Sequence, residues 1–304
     1  MRAAYTLAAV TRLYEAALVR HGMEEVAPAG EHDFEILVRA AAVALEQTGS
    51  ATKDAHRHEL LHDLGASDFV DAHRAAELLF ARLGLTVPTP QEFVDAGVDW
   101  QALTDGCRSL EAEGSDPQLL VTPMLPLGES SAESAGRSWR DLYALLAADS
   151  SIASNPLRAR PDGHGLQLGA AVGVDDAIRE LSAQETAAVE KTHRSVEDEL
   201  GIFWNVSVVA LADTASQGNV PYLAAAGDHL WPSEYLALQA LRIVAGKTPI
   251  DQYSWTWLQG VLELDARPHA LAGVWVPGYG QIRIYANPVG YAQERLLART
   301  PLRG

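Results

Sequence analysis

Residues 202–211 read Ile-Phe-Trp-Asn-Val-Ser-Val-Val-Ala-Leu, and this run limits the possible folds more than any other part of the chain. Aromatic and β-branched side chains crowd it, which suits a pleated, buried strand far better than a helix. A strand needs partners, so the second half of the chain must build a sheet. Residues 119–125 supply one candidate, Leu-Leu-Val-Thr-Pro-Met-Leu, in which Pro123 confines the strand to an edge or ends it early. Residues 165–168 can form a short strand. Residues 271–276 are an apolar run and 281–285 alternate apolar and polar, on either side of Pro277-Gly278-Tyr279-Gly280, which predicts a hairpin. Between these strands the spacing predicts a helix near Trp139, Leu142, Tyr143 and Leu146. A second is predicted over 174–200, with Ser182 and Glu185 in capping-box spacing, and a third is capped by Ser233 and stopped by Gly246.

The first half is patterned differently. Apolar residues recur every three or four positions in residues 2–20, in 34–45 after Asp33, around His58, in 68–83 before Gly84, and in 91–112. Residues 111–117, Glu-Ala-Glu-Gly-Ser-Asp-Pro, form the best linker. Aromatic usage changes there: four of five Phe precede it, whereas six of seven Trp and seven of nine Tyr follow it. The expected class is therefore α+β: a helical N-terminal domain over 1–114, then a mixed domain over 117–304 with a small, mainly antiparallel sheet.

A net charge of −17 opposes binding to nucleic acid or to an anionic membrane, and it fits solubility or a basic partner. No apolar run has membrane-spanning length. Thr11, Arg12 and Glu15 interrupt the N-terminal apolar stretch, which reads as an amphipathic helix rather than a signal peptide. Cys107 is the only cysteine, so no intrachain disulfide forms and the cytoplasm is the natural setting. Abundant alanine and arginine, with lysine only at Lys53, Lys191 and Lys247, fit a GC-rich bacterial or phage genome.

One spacing carries a definite chemistry. His58-Glu59-x-x-His62 places two imidazoles on one helix face, four residues apart, with a carboxylate beside them. Gly65 can take the positive φ that ends a helix, and Asp68 follows. The order H-E-x-x-H-x-x-G-x-x-D over residues 58–68 resembles the metzincin zinc-peptidase motif. The resemblance implies His58, His62 and Asp68 as zinc ligands and Glu59 as general base on a metal-bound water. Read without it, the same residues form a charged amphipathic helix with Leu60, Leu61 and Leu64 facing a core and the histidines in water. Arg57 and Asp63 flank the motif, and burying either of them unpaired would be costly.

Other features are less specific. Gly128-Glu129-Ser130-Ser131-Ala132 superficially resembles a nucleophile elbow, with Asp213 and His269 following in order, but a polar loop replaces the required helix. Trp255 and Trp257 share one face of a strand and serve either as core packing or as an aromatic platform for sugar or peptide. Asp228-His229 is a possible acid/base pair or a cap beside a partly exposed imidazole. Cys107 has no activator in its sequence neighbourhood and reads as a core or surface thiol. The leading expectation is a soluble, acidic, non-catalytic binding or assembly protein with a protein partner and no cofactor. The alternative is a zinc-dependent hydrolase, a peptidase, built on the His58 helix.

Overall fold

The computed structural model describes residues 53–128, 137–152, 154–159, 165–168, 183–188, 190, 194–211, 228–264, 266–291 and 296–303. The expected helices over 2–20 and 34–45, the Ser182 cap, the 128–132 motif beyond Gly128, and Asp213 lie outside these residues. The chain divides into two compact units, Met1–His56 and Arg57–Gly304. The described residues lie almost entirely in the second unit, and the expected boundary at 114–117 falls inside it.

The class is α+β. Helix α1 covers 53–63, and a 3-10 turn Ser67–Phe69 leads into α2, Val70–Phe80. A further 3-10 turn, Ala81–Leu83, ends at Gly84, where φ is +68°. The single helix expected over 68–83 is thus tightened at both ends, and no side chain caps its start. Helix α3, Pro90–Asp95, has a full capping box between Thr89 and Glu92. Helix α4, Trp100–Ala112, is capped by the Asp99 carboxylate. Strand β1, Pro117–Pro123, stops at the proline and lies at a sheet edge. Helix α5, Trp139–Ala148, follows, then strand β2, Leu166–Leu168, and a helical segment α6 over 183–188.

The helix expected over 174–200 does not extend that far, because Val196–Glu197 forms strand β3. The cause is turn chemistry. The Asp198 carboxylate accepts the Leu200 and Ile202 N–H groups and the Trp204 indole N–H, which folds the chain directly into β4, Phe203–Ala210. Helix α7, Pro232–Val244, comes next. Strands β5, Trp255–Leu264, β6, Arg267–Val276, and β7, Gln281–Pro288, form an antiparallel meander. Short strands β8, Leu296–Ala298, and β9, Leu302–Arg303, complete the order. One sheet has β1 and β4 antiparallel, with β3 and β9 on the far side of β4. The other runs β2-β7-β6-β5-β8, with β2 and β8 parallel to their neighbours. No helix among the described residues is long and apolar enough to cross a membrane.

One apolar core runs through the helices and both sheets. Phe80 from the Phe-rich half packs edge-on against Trp139 and Trp204 from the Trp-rich half, with centroids 5.9 and 5.4 Å away. Helix α7 is the centre of this core. Residues 232–241 and Ile243 are all buried, polar ones included. A helix buried on every side must satisfy its polar groups internally. Gln239 bonds Tyr235 Oη and both polar backbone groups of Ile250. The Tyr143 hydroxyl donates to the Leu236 carbonyl. Tyr235 lies so close to β6 that a Cβ at Gly273 would run into its ring.

The N-terminus of α7 differs from expectation. Trp231 is the N-cap, Pro232 occupies the first helical position, and Glu234 accepts the Trp231 N–H at 2.8 Å. Ser233 is not the cap. Its N–H and hydroxyl meet the Glu185 carboxyl of α6, at 3.0 and 2.9 Å, and its Oγ accepts the Trp139 indole N–H. Two buried carboxyls therefore serve one helix end. Arg299 joins the two sheets: it pairs with buried Asp251, bonds Thr256, and reaches the Ala210 and Leu211 carbonyls.

Buried His73 on α2 donates from Nε2 to the Pro88 carbonyl at 2.9 Å. Burial lowers its imidazole to about 4, the Pro88 bond opposes this, and the Arg57 charge adds to it. Its pKa is lower folded than unfolded, so its contribution is full above about 6.5 and is lost as pH falls toward 4. Denaturant unfolding of wild type should lose up to about 3 kcal/mol across that window from this group. His73→Gln should flatten the slope; an unchanged slope in the variant would exclude His73 as its source.

Candidate functional site

The His58 helix ends as its sequence requires. Gly65 adopts φ +67°, its N–H bonds the His62 carbonyl, and the Ala66 N–H bonds the Leu61 carbonyl at 2.8 Å, which together make a Schellman motif. Leu61 is fully buried, with Leu60 and Leu64 half-buried, so this face meets the core. His58 and Glu59 are exposed, as is His62 at 73 %. Asp68, 67 % exposed, lies 3.6 Å from Arg108. Arg57 is buried and paired with Glu77 of α2, while Asp63 stands in solvent. No group of three His, Cys, Asp or Glu among the described residues is placed to hold a metal ion. Spacing alone puts the two imidazoles on one face. The leucine face is the buried one, and Arg57 is accommodated at its edge by Glu77, twenty residues away in the chain.

The other single residues resolve individually. Asp228 is exposed, its carboxylate 3.6 Å from Arg303, while His229 is buried, with its N–H bonded to the Gln259 side chain. The pair therefore points in two directions. Cys107 is half-buried on α4. Burial, then the charges of Glu111 and Asp68, raises its thiol pKa, opposite to what a nucleophile needs. His269 bonds the Arg267 carbonyl two residues away.

The arrangement with the most binding potential lies on the outer face of the five-stranded sheet. Register sets its membership. Trp257, Ala272 and Tyr285 form one cross-strand row, and Val274 and Arg283 belong to the next. Trp255, two residues from Trp257, shares this face. The alternate residues Thr256, Leu258, Gly273, Ile282 and Ile284 point the other way, toward α7. On the outer face the Trp255 and Tyr285 rings stand 5.1 Å apart. Arg283 donates to the Tyr285 hydroxyl at 3.0 Å and to Gln281 at 3.3 Å, and its guanidinium lies 4.5 Å from the Tyr279 ring centroid. Tyr279, in the β6–β7 turn, is 41 % exposed.

Part of this same face is fully buried. Trp257, Ala270, Ala272 and Leu296 form a second, small buried cluster, against which Trp255 packs. Tyr, Trp and Arg are the residue types that anchor protein interfaces, because they offer large, stiff, amphipathic contact area. Among the described residues Arg283 bonds only neutral oxygens, those of Tyr285 and Gln281, and its buried Nε has no hydrogen-bond partner. Each Nη carries a second N–H beyond its bond to Tyr285 or Gln281, and a carbonyl or carboxylate brought by a partner would take it. The sequence marks Trp255 and Trp257. It offers Tyr279, Arg283 and Tyr285 only as hairpin residues, since the strand register that joins them to Trp255 is a long-range property.

Comparison of the chain with models of protein families, with curated proteins and with solved structures finds no match.

The solvent placement of His58, His62 and Asp68 predicts that untagged protein, purified without chelator, carries no stoichiometric zinc. Elemental analysis of wild type and His58→Ala should give the same metal content. Near-stoichiometric zinc that disappears in the variant would contradict this and make His58 a ligand.

Proposed function

We propose that this protein is a non-catalytic binding or assembly protein that engages a protein partner through the Trp255–Tyr285–Arg283–Tyr279 face. The observation that carries the proposal is Arg283: a cation over the Tyr279 ring and bonded to the Tyr285 hydroxyl, on an antiparallel sheet, with a second N–H left on each Nη. Long-range attraction to a chain of net charge −17 favours a partner of basic overall charge, while Arg283 takes a carbonyl or carboxylate at close range. The same net charge argues against nucleic acid and anionic membranes as partners. A single cysteine and an acidic composition suit a cytoplasmic setting. The competing proposal is a zinc-dependent peptidase with His58 and His62 as ligands, Asp68 as third ligand and Glu59 as base. What favours it is the His-Glu-x-x-His spacing on an accessible helix, and zinc content decides it.

The experiment is site-specific photo-crosslinking in cells of the native host. A crosslinkable residue at position 279 should capture a defined protein, whereas one at position 78, exposed on α2, should not. Arg283→Ala should reduce the captured product about tenfold, the effect of losing one hot-spot residue. Equal capture from both positions, or capture unchanged in Arg283→Ala, would refute this face as the binding surface.

A further inference from the structure

A second feature lies inside the molecule, on the face of the β1–β4 sheet opposite Leu119, Val121 and Trp204. Register places Thr122 across from Asn205, and Ser207 between Leu120 and Arg303, so Thr122, Asn205, Ser207 and Arg303 share one face. Glu234 of α7 reaches it. Glu234 Oε1 accepts from Asn205 Nδ2 at 3.1 Å, and Oε2 accepts from Arg303 Nη2 at 2.9 Å. Thr122, Asn205 and Ser207 are all at least nine-tenths buried. Four polar atoms of this face nevertheless have no hydrogen-bond partner among the described residues: Thr122 Oγ1, Asn205 Oδ1, Ser207 Oγ and Arg303 Nε. Buried polar atoms are nearly always satisfied, so adjacent orphans mark a missing partner rather than four separate defects.

The chemistry of the orphans defines that partner. Asn205 Oδ1 can only accept, Arg303 Nε–H can only donate, and the two hydroxyls can do either. The partner must therefore both donate and accept. It must also be neutral. A cation would sit beside Arg303, and an anion would sit beside Glu234, near Glu185 at the same end of α7 and Asp228 3.6 Å from Arg303. We propose that this face is a binding site for a neutral hydroxyl group, held between Thr122, Asn205 and Ser207 and within reach of Arg303. The hydroxyl is that of ordered water or of a small polyol; both present the same donor and acceptor set. This site does not depend on the outer-face reading.

The sign of a stability change tests it. Thr122→Val and Ser207→Ala remove one hydroxyl each with little change of volume. If a hydroxyl ligand bridges them, each variant lowers the thermal midpoint by about 2–4 °C. The double variant then loses less than the sum, because both groups hold the same molecule. Thr122→Ser, which keeps the hydroxyl, should stay closer to wild type than Thr122→Val. If the site is empty, deleting an unsatisfied buried hydroxyl raises the midpoint, and either a rise or no change in both variants overturns the proposal. Glycerol separates the two sources. A larger glycerol-induced shift in wild type than in the double variant assigns the site to a polyol, and equal shifts assign it to water.

Discussion

The structure depends on burying one entire helix. Each leucine of α7 taken out of water contributes about 1.5–3 kcal/mol, and Leu236, Leu238 and Leu241 are all buried. That gain is available only if the N-terminus of the helix, with its unpaired N–H groups, can be buried too. Pro232 removes one such group. Glu234 and Glu185 take the Trp231 and Ser233 N–H groups. A charged carboxylate without adequate compensation costs several kcal/mol, about as much as two leucines supply. The two glutamates meet this constraint differently. Glu234 is compensated by Arg303, Asn205 and the Trp231 N–H. Glu185 lacks a cation at bonding distance among the described residues. Burial raises its carboxyl to about 8, the Ser233 bonds oppose the rise, and nearby Glu234 adds to it. It is held largely neutral near neutral pH.

This arrangement links the interior to the surface. The sheet face against α7 carries Gly273, Ile282 and Ile284, and the close approach of Tyr235 fixes the distance between helix and sheet. Because strand residues alternate, the same strands hold Trp255, Arg283 and Tyr285 on the far side. Trp255, Arg283 and Tyr285 are therefore positioned by the core rather than by loops; in the proposed binding role this would present a pre-formed surface and lower the entropy cost of association.

Much of this was legible where local chemistry decides. Pro123 ends β1 at an edge, residues 202–211 form β4 to within a residue at each end, Gly65 and Gly84 end their helices, and the 277–280 turn joins β6 to β7. The readings that differ did so where a distant or unusual partner competes. Val196 and Glu197 sit in a helical pattern, yet the Asp198 carboxylate organises a turn that pairs them with β4. Ser233 has the right residue type for a cap, but Pro232 and Glu234 move the start to Trp231. That signal was present in the proline and in the glutamate two residues after it. Strand β5 continues past Trp257 only by means of an irregularity between Leu258 and Val261, with Gly260 at φ +111°, which interrupts the simple alternation. Of the proposed binding face, the two tryptophans could be read from period-two spacing. Arg283 and Tyr285 could not be assigned to them without the register.

The most direct test of the central claim, that a neutral Glu185 allows the end of α7 to be buried, is the stability difference between wild type and Glu185→Gln as a function of pH. A carboxyl with a pKa near 8 when folded and 4.5 when unfolded destabilises the fold progressively as pH rises through that interval. Glutamine keeps an acceptor for the Ser233 N–H and has no proton to lose, and contributions common to both chains cancel in the difference. The difference should shift steadily in favour of Glu185→Gln from pH 4.5 to 8. A difference that stays constant across this range would mean that Glu185 is charged in the folded protein, and would contradict the claim.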